Sequence, residues 1–410
     1  MLKRVPISSL RVGMYVQELG GAWLDHPFWR SSFKIDSPEV LRQIVDSRIR
    51  EAWIDTSRGL DVAGGIDLEQ AEAQVEQELA RDAEDLPVSQ RVPTEDEVAR
   101  AKRILARSCQ VVTEVFQQAR MGRALQPETV MPVIDDVAAS VQRNPGVLTA
   151  LTRLRRQDTY TYFHSVSVCA LMVALANQLG CGADGCRDAG LAGLMHDVGK
   201  LLVPLELLNK KEPLSEAEFS ELRRHAEIGH ELLARGNHTA DVVLDVCLHH
   251  HERVDGSGYP EGLAGDQVSL FARMAAISDV YDATTSDRPY KDAWQPAYVL
   301  RRMTEWSGAG QFDTRIFHAF VKTVGIYPIG SLVRLKSGRL AVVVDQSAGS
   351  LLRPRVKIIF SITADRRLPP RVVDLSLPDA EDEIVGHEDP DVWGVDDIDF
   401  LWSGIDRRPG

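Results

Sequence analysis

Apolar residues recur with helical spacing almost throughout residues 94–323, and this pattern constrains the fold more than any other feature of the chain. Residues 94–97 form a capping-box start with acids in the first turn of a long helix. Pro127 and Pro145 each stand at the first position of a further helix. Residues 164–179 are predicted to form a strongly amphipathic helix. The region is therefore predicted to be a helical bundle, and the chain to be mainly α.

The periodicity changes on both sides of this bundle, which divides the 410-residue chain into several parts. Ahead of it, strands are predicted around Gly13 and at 51–56, and Ser37 is the N-cap of a helix. After it, alternating residues around Ser337 and Gly338 predict a β-hairpin. The predicted parts are an α+β regulatory module (1–62), an acidic helical linker (63–93), a helical region (94–325), a small β-appendage (326–375) and an acidic tail (376–410).

Charge and cysteine usage exclude several classes of protein. The formal net charge is −13, so there is no excess of basic residues to bind a nucleic-acid polymer or an anionic membrane. The five cysteines are scattered and lack CxxC spacing, which predicts free thiols in a cytoplasmic protein. Residues 379–399 carry only negative charges, and a mobile tail is predicted there, with residues 400–402 docked back.

The stretch LAGLMHDVGK, at residues 191–200, carries the first chemical signal. An apolar helical run ends in His196 and Asp197, and an imidazole beside a carboxylate suits a borderline metal ion. Gly199 is expected to permit a sharp backbone turn. Lys200 is a point cation placed to meet a phosphate oxygen. Alone, such a pair is more often a solvated helix end than a metal site, so the assignment depends on the rest of the chain.

Further potential ligands lie at the ends or on single faces of separate predicted helices, and a bundle can bring such side chains to one internal site. Three consecutive histidines, 249–251, are rare outside metal sites, although neighbours on a helix point about 100° apart and only some can face inward. His249 and His230 are assigned structural roles. An Asp197 carboxylate bridge would hold two ions together, and such ions generate hydroxide at neutral pH. The candidate metal ligands are His164, His196, Asp197, His225, His250, His251 and Asp279.

A turn follows the histidines directly, with the sequence DGSGYP at residues 255–260. Its glycines predict a tight, exposed loop that presents Tyr259. Downstream, Arg288 and Lys291 follow the Asp279 helix, and arginine can bind phosphate through two hydrogen bonds. A solvated turn explains this second segment equally well on local grounds.

Three motifs occur in order: HDVGK (196–200), HHERVDGSGYP (250–260) and ISDVYDATTSDRPYK (277–291). Together they make residues 155–325 resemble an HD-GYP domain, the HD-type metal phosphohydrolase that cleaves cyclic di-GMP in bacteria. The resemblance implies a helical bundle, a centre of iron, manganese or a similar ion, and hydrolysis to linear pGpG and on to GMP. It implies metal-ligand roles for the candidate ligands named above, with Asp197 and Lys200 catalytic and Asp282 supporting the site. The residues implied to surround the substrate are Lys200, Tyr259, Arg288 and Lys291.

The chain departs from the pattern of the family at one position. Members with three metals carry a glutamate ligand four residues before the first histidine, where this chain has Tyr160. A phenol is a poor substitute for a bridging carboxylate at neutral pH. A centre of two divalent ions is therefore expected, which weakens the case for the second cleavage. The N-terminal module is similar to a domain of unknown function often found before HD-GYP domains.

Three functions stay open at this point. The leading one is a phosphodiesterase that lowers cyclic di-GMP and so favours motility over biofilm formation. The alternatives are a non-catalytic cyclic di-GMP receptor that signals through a protein partner, and an HD phosphohydrolase that acts on another cyclic dinucleotide. The resemblance also implies contact between the Gly-Tyr-Pro loop and GGDEF-type diguanylate cyclases. An acidic helix at 67–85 could pair with its copy in a homodimer.

Overall fold

The computed structural model describes residues 2–19, 32–46, 49–67, 70, 91–121, 129–154, 160–208, 210, 214–236, 239–286, 293–347 and 349–406. Most of the predicted acidic helix at 67–85, Pro127, Arg288 and Lys291 lie outside these residues. The chain divides into two compact units, Met1–Leu79 and Ala80–Gly410, and each is described by itself.

The described residues of the first unit form a five-stranded antiparallel sheet, in the order Phe33–Lys34, Tyr15–Leu19, Glu51–Asp55, Leu2–Pro6 and Ile66–Asp67, accompanied by an α-helix and a 3₁₀ turn, Ile7–Ser9. Ser37 accepts a hydrogen bond from the amide of Val40 and so caps the helix, as its sequence predicts. Apolar residues from every major strand form the core, including the fully buried Val16 and Ile54. The elements are β1 (Leu2–Pro6), β2 (Tyr15–Leu19), β3 (Phe33–Lys34), α1 (Pro38–Val45), β4 (Glu51–Asp55) and β5 (Ile66–Asp67).

The second unit is mainly helical, which confirms the fold class predicted from the periodicity. Its first helices are α2 (Thr94–Arg120), α3 (Met131–Arg143), α4 (Pro145–Thr152), α5 (Tyr160–Gln178), α6 (Gly182–Met195) and α7 (Leu205–Leu208). A 3₁₀ turn, Val198–Leu202, lies between α6 and α7. The later helices are α8 (Glu216–Arg223), α9 (His225–Ala234), α10 (Asp241–His249), α11 (Leu270–Thr285), α12 (Pro296–Gly308) and α13 (Thr314–Val324).

Helix α5 is the centre of the bundle, and the prediction that it is amphipathic is wrong. Every residue from His164 to Ala176 is buried, because α2, α3, α4, α6, α11 and α13 all pack against it. A helix surrounded on all sides has no solvent face to keep polar. Helix α6 approaches it most closely, since an added Cβ at Gly193 would lie 3.0 Å from the carbonyl oxygen of Val168. This close packing brings His164 on α5 beside the end of α6.

A second five-stranded antiparallel sheet follows the bundle, in the order β10-β6-β7-β8-β9. The predicted hairpin at Ser337 and Gly338 is confirmed, because Leu335 pairs with Arg339 across it and Gly338 has a φ of 73°. The strands are β6 (Leu332–Leu335), β7 (Arg339–Asp345), β8 (Arg355–Ser361), β9 (Arg366–Asp374) and β10 (Ile384–His387). Two short helices follow, α14 (Pro390–Trp393) and α15 (Ile398–Ser403).

The mobile tail predicted from the acidic run is wrong. Strand β10 pairs with β6, and the acids beside it meet basic side chains of the sheet, with Lys336 Nζ 2.7 Å from Glu383 and Arg334 Nε 3.0 Å from Glu388. The predicted docking of residues 400–402 is confirmed for Leu401 and Trp402, which are 8% and 7% exposed, but not for Phe400, which is 49% exposed. The negative charges therefore neutralise the edge of a sheet instead of keeping a tail in solvent.

The same sheet also holds the start of the bundle. Asp345, at the end of β7, accepts a hydrogen bond from the backbone amide of Thr94 (3.0 Å), the first residue of α2. The side chain of Asn144 lies 3.3 Å from the other oxygen of Asp345 and caps α4 through the amide of Gly146. Asp345 of the C-terminal sheet thus accepts the first backbone amide of α2. The side chain of Asn144, which contacts Asp345, accepts a backbone amide at the start of α4.

Within the described part of the chain, no helix has the length and apolar character needed to cross a bilayer.

Candidate metal centre

The predicted ligands meet at the centre of the second unit, brought there by separate elements. His164 lies on the buried helix α5, and Asp279 lies on α11. His196 and Asp197 end α6, His225 begins α9, and the last two histidines of the triple follow α10. All are at most 8% exposed. The set is His164, His196, Asp197, His225, His250, His251 and Asp279.

Asp197 lies between two groups of histidines, and each of its oxygens faces one group. Its Oδ2 is 3.4 Å from the Nε2 atoms of both His164 and His196. Its Oδ1 is 3.3 Å from Nε2 of His225 and 3.6 Å from Nε2 of His250. A carboxylate placed in this way can bridge two ions, as the sequence predicts.

Asp279 is the second carboxylate of the cluster. Its Oδ1 is 3.1 Å from Nε2 of His164 and 3.9 Å from Nε2 of His196, and its Oδ2 is 4.0 Å from Nδ1 of His251. It thus faces the same histidine pair as one oxygen of Asp197, and it also reaches the histidine at the far end of the triple.

The outer nitrogen of each of four imidazoles is already engaged, which aims the inner nitrogen at the centre. His196, His225 and His250 each donate Nδ1–H to a backbone carbonyl, at 2.8, 2.7 and 3.0 Å. Nδ1 of His164 donates to Oδ2 of Asp282 at 2.7 Å. Because these Nδ1 atoms carry the proton, the Nε2 atoms present lone pairs, which is the tautomer that metal ligation requires.

The donor set fits a divalent metal. Among the described residues, Nε2 of His196, Oδ1 of Asp197 and Nδ1 of His251 are buried and have no hydrogen-bond partner. Buried polar atoms are rarely left without a partner, and these three belong to the two ligand groups that share Asp197. Imidazole and carboxylate donors together suit zinc, iron and manganese better than calcium or magnesium.

The ionisation states agree with ligation. Burial raises the pKa of the Asp197 carboxyl, but the Lys200 ammonium and the surrounding imidazoles outweigh it and hold that pKa well below its usual range. Burial also raises the pKa of Asp279, and its contact with His164 reverses the effect. Burial lowers the pKa of His250 to about 4, so its imidazole is neutral at physiological pH. The site is therefore built from anionic carboxylates and a neutral imidazole.

Gly199 lies in the 3₁₀ turn Val198–Leu202, and close packing is what requires a glycine there. It does not have a positive φ, but an added Cβ would lie 1.9 Å from the carbonyl oxygen of His225 and 2.6 Å from the amide nitrogen of Gly229. No side chain fits that gap. The turn of the HDVGK motif thus lies directly against the backbone of α9, which places His225 beside Asp197.

Lys200 lies at the edge of the cluster. Its Nζ is 2.5 Å from Oδ2 of Asp197, and its side chain is 26% exposed. The ammonium group therefore stands where the buried carboxylate meets solvent, close to any anion that enters.

The Gly-Tyr-Pro loop turns its tyrosine inward, and the predicted exposed tyrosine is wrong. The ring of Tyr259 stacks on that of His251, with centroids 4.6 Å apart and planes at 24°. Arg223 covers its other face, with Cζ 4.7 Å from the ring centroid. Gly258 allows this fold, since an added Cβ would lie 2.4 Å from Cα of Glu252. Arg223 is not among the residues predicted from the sequence. Its position two residues before the candidate ligand His225 is the sequence feature that could have identified it.

Glu252 was also missed as a functional residue. It is 1% exposed, and its carboxylate accepts hydrogen bonds from the amides of Glu261 (2.8 Å), Gly262 (3.0 Å) and Leu263 (3.1 Å). An acid directly after two ligands and before a glycine-rich loop was the available signal. The carboxylate fixes the far side of the loop that carries Tyr259.

The remaining predicted residues have these positions. His249 points away from the cluster, with Nδ1 2.8 Å from Asp245. Its contact with Asp245 raises its pKa. Asp282 supports His164, as described above. Arg288, Lys291 and the side chain of Tyr160 lie outside the described residues.

Two domain families match the chain. A domain of unknown function, DUF3391, matches residues 2–130, and the HD domain matches residues 136–316. The cyclic di-GMP phosphodiesterase PA4108 of Pseudomonas aeruginosa is 47% identical over 100% of this chain and 98% of its own length.

Two further relatives match only part of the chain. The cyclic di-GMP phosphodiesterase response regulator RpfG of Xanthomonas campestris is 34% identical over 54% of this chain and 58% of its own. The 3′3′-cGAMP-specific phosphodiesterase 1 of Vibrio cholerae is 36% identical over 40% of this chain and 38% of its own. With its full-length relative and its intact HD motif, this chain belongs to the HD-GYP branch of the HD-domain phosphodiesterases, in the group that carries DUF3391 in front.

Proposed function

We propose that this protein hydrolyses cyclic di-GMP to linear pGpG in a metal-dependent reaction. One observation carries the proposal: the two oxygens of Asp197 face two separate groups of buried imidazoles. Relatives named for the same activity support it, one of them over the full length of the chain.

We propose two divalent ions in this centre, with iron or manganese as the metal. His164, His196, Asp279 and one oxygen of Asp197 would hold one ion. The remaining ligands, His225, His250 and His251 with the other oxygen of Asp197, would hold the second. When bound, such ions supply the acidity that turns water into hydroxide at neutral pH and neutralise phosphate charge.

The protein's own groups bind and orient the substrate. The Lys200 ammonium, at the edge of the cluster, is placed to pair with a phosphodiester oxygen. The Tyr259 ring, held between His251 and Arg223, limits how the substrate enters beside the ligands. Arg288 and Lys291 are further candidates for phosphate contacts.

Further points of the proposal concern product, partners and location. Tyr160 replaces the glutamate of three-metal members, so pGpG is proposed as the main product and GMP as a product that forms slowly.

Because the Tyr259 ring points inward, the rim of the Gly-Tyr-Pro loop, and not the ring, is the proposed surface for a GGDEF partner. A homodimer through residues 67–85 and a cytoplasmic location stay predictions, and the free cysteines suit the latter.

The proposal is tested by a time course with anaerobically purified protein, with metal content measured on the same sample. We expect cyclic di-GMP to be converted to pGpG with about two ions per chain, and chelation to abolish turnover until iron or manganese is returned. Faster hydrolysis of 3′3′-cGAMP would assign a different substrate. A metal-loaded protein that binds cyclic di-GMP and leaves it intact would be a receptor instead.

Glu252 provides a separate test of the loop. In the wild type, three backbone N–H groups donate hydrogen bonds to the Glu252 carboxylate. Replacement by Gln turns a side-chain NH₂ group toward one of these N–H groups, so two donors face each other and the loop loses its anchor. We expect Glu252→Gln to lower kcat/KM by about 10–100-fold while the metal content stays the same. Glu227→Gln, on the exposed face of α9, is the matched control. Unchanged kinetics in Glu252→Gln would contradict a positioning role.

A further inference from the structure

A cavity of about 670 Å³ lies at one end of the C-terminal sheet, on residues that take no part in the metal centre. Asp345 at the end of β7, Arg355 at the start of β8 and Asp374 at the end of β9 line it, together with Arg91 and Pro93 just before α2. Small-molecule sites in proteins measure about 300–1,000 Å³, so the cavity is large enough for a ligand.

Three arginines line this cavity, and they are poorly neutralised. Arg355 lies 3.7 Å from Asp345 and 4.0 Å from Glu95, whose side chain is 71% exposed, so both pairs are long and the second is screened by solvent. Within the described ranges, neither Arg91 nor Arg353 has an acidic partner within ion-pair distance, although the Asp345 charge acts on Arg91 from farther away. A chain with a net charge of −13 thus keeps a local group of cations here.

The two acids of the cavity are occupied by structural bonds. Asp345 accepts the amide of Thr94 at 3.0 Å and the amide of Gln346 at 2.9 Å. Asp374 accepts both the amide (2.9 Å) and the hydroxyl (2.6 Å) of Ser376. Hydrogen bonds from these neutral donors leave both carboxylates charged, so the three arginines and two aspartates of the lining give the cavity a net charge of +1, and this excess favours an anion.

The lining indicates what kind of anion fits. Oγ of Ser347 accepts the amide of Gly349 at 3.3 Å, and Oγ of Ser350 accepts the amide of Leu352 at 3.2 Å, so both hydroxyl protons stay free to be donated. No aromatic ring is among the described residues of the lining, which therefore offers a nucleobase no stacking surface.

We propose that this cavity binds a small phosphorylated compound through Arg91, Arg353 and Arg355. Guanidinium groups bind phosphate through paired hydrogen bonds, and the serine hydroxyls complete the set of donors. Recognition is of the phosphate group and not of a base.

A continuous set of contacts joins this cavity to the metal centre. Asn144, which contacts Asp345, caps α4, which is buried from Gly146 to Thr152. At the other end of α4, Oγ1 of Thr152 lies 2.9 Å from Oγ of Ser167, which donates to Asp282, the partner of His164. A ligand that shifts Asp345 is therefore expected to change the rate of hydrolysis, and this second part of the proposal rests on the proposed function.

Binding is tested by calorimetry on the metal-loaded protein, with inorganic phosphate, GMP and guanosine as probes. We expect the Arg91→Ala/Arg353→Ala double variant to bind phosphate and GMP at least about tenfold more weakly than the wild type. Arg366→Ala is the control, because Arg366 lies at the opposite end of the same strand pair, roughly 20 Å away. Equal affinity in the double variant, no binding to the wild type, or equal binding of guanosine and GMP would overturn the site.

The effect on rate is measured separately with the same variants. The double variant is expected to keep the basal rate, since neither arginine touches the metal centre. Saturating phosphate is expected to change the rate of the wild type and of Arg366→Ala by more than that of the double variant. An equal response in all three would overturn the regulatory part, while the calorimetry would still decide whether the cavity binds phosphate.

Discussion

The Asp197→Asn variant is expected to lose at least about 10³-fold in the rate of phosphodiester hydrolysis, together with most of its bound metal. The physical reason is that both oxygens of this side chain face imidazole groups, at 3.3–3.6 Å on each side. An amide keeps the shape but removes the charge, and it turns an NH₂ group toward one of the two positions. Neither position then has an anionic bridge.

The matched control for this variant comes from the histidine triple. His249 has the same sequence context as the ligands but points to Asp245, so His249→Gln is expected to keep both metal content and turnover. Metal is measured by elemental analysis and turnover by product formation. An Asp197→Asn protein that retained two ions and wild-type turnover would contradict the bridging role, as would a His249→Gln protein that lost its metal.

Replacement of Gly199 by Ala is expected to give the largest loss of stability, about 3 kcal/mol or more in the free energy of unfolding. The new Cβ would lie 1.9 Å from the carbonyl oxygen of His225 and 2.6 Å from the amide of Gly229, both backbone atoms that cannot rotate away. The turn and α9 must separate. Because His225 begins α9, its Nε2 moves away from Asp197, and metal content is expected to fall as well.

A second glycine shows whether this effect is specific. Gly308 ends α12, and an added Cβ there would have no atom within 4 Å, so Gly308→Ala is expected to leave stability nearly unchanged. Thermal unfolding of both variants with and without metal measures the difference. Equal melting temperatures for Gly199→Ala and the wild type would show that the turn and α9 are not in rigid contact.

The helical bundle and its converging ligands could be predicted because both depend on local pattern. Helical periodicity, prolines and most N-caps mark the helices, although no capping box forms at residues 94–97, where Pro93 is the N-cap. The histidines and aspartates stand at helix ends or on single helix faces, where a bundle can collect them. The spacing alone could not say which oxygen of Asp197 meets which imidazole. That depends on how α5, α6, α9 and the end of α10 pack, which is a property of the whole bundle.

The incorrect predictions have physical causes of the same kind. Residues 164–179 are predicted to keep a solvent face, but the helices around α5 bury every residue from 164 to 176. The acidic run is predicted to stay in solvent, because the sequence does not show that Arg334 on β6 and Lys336 directly after it pair with those acids. The role of Glu252 was not predicted because its partners are three backbone amides, and a sequence pattern of side chains does not show which backbone amides a carboxylate will contact.

The bond between Asp345 and the first amide of α2 bears on how such a protein can evolve. The HD motifs end well before the C-terminal sheet, which makes that sheet look dispensable. Yet the sheet supplies the carboxylate that begins α2 and contacts the cap of α4, and Lys102 on α2 donates to the carbonyl of Ser403 near the other end of the chain. Recombination that exchanged the catalytic segment alone would leave these donors without acceptors. The segment of this enzyme that must be exchanged as a whole is therefore longer than its catalytic motifs, and it includes both the bundle and the C-terminal sheet.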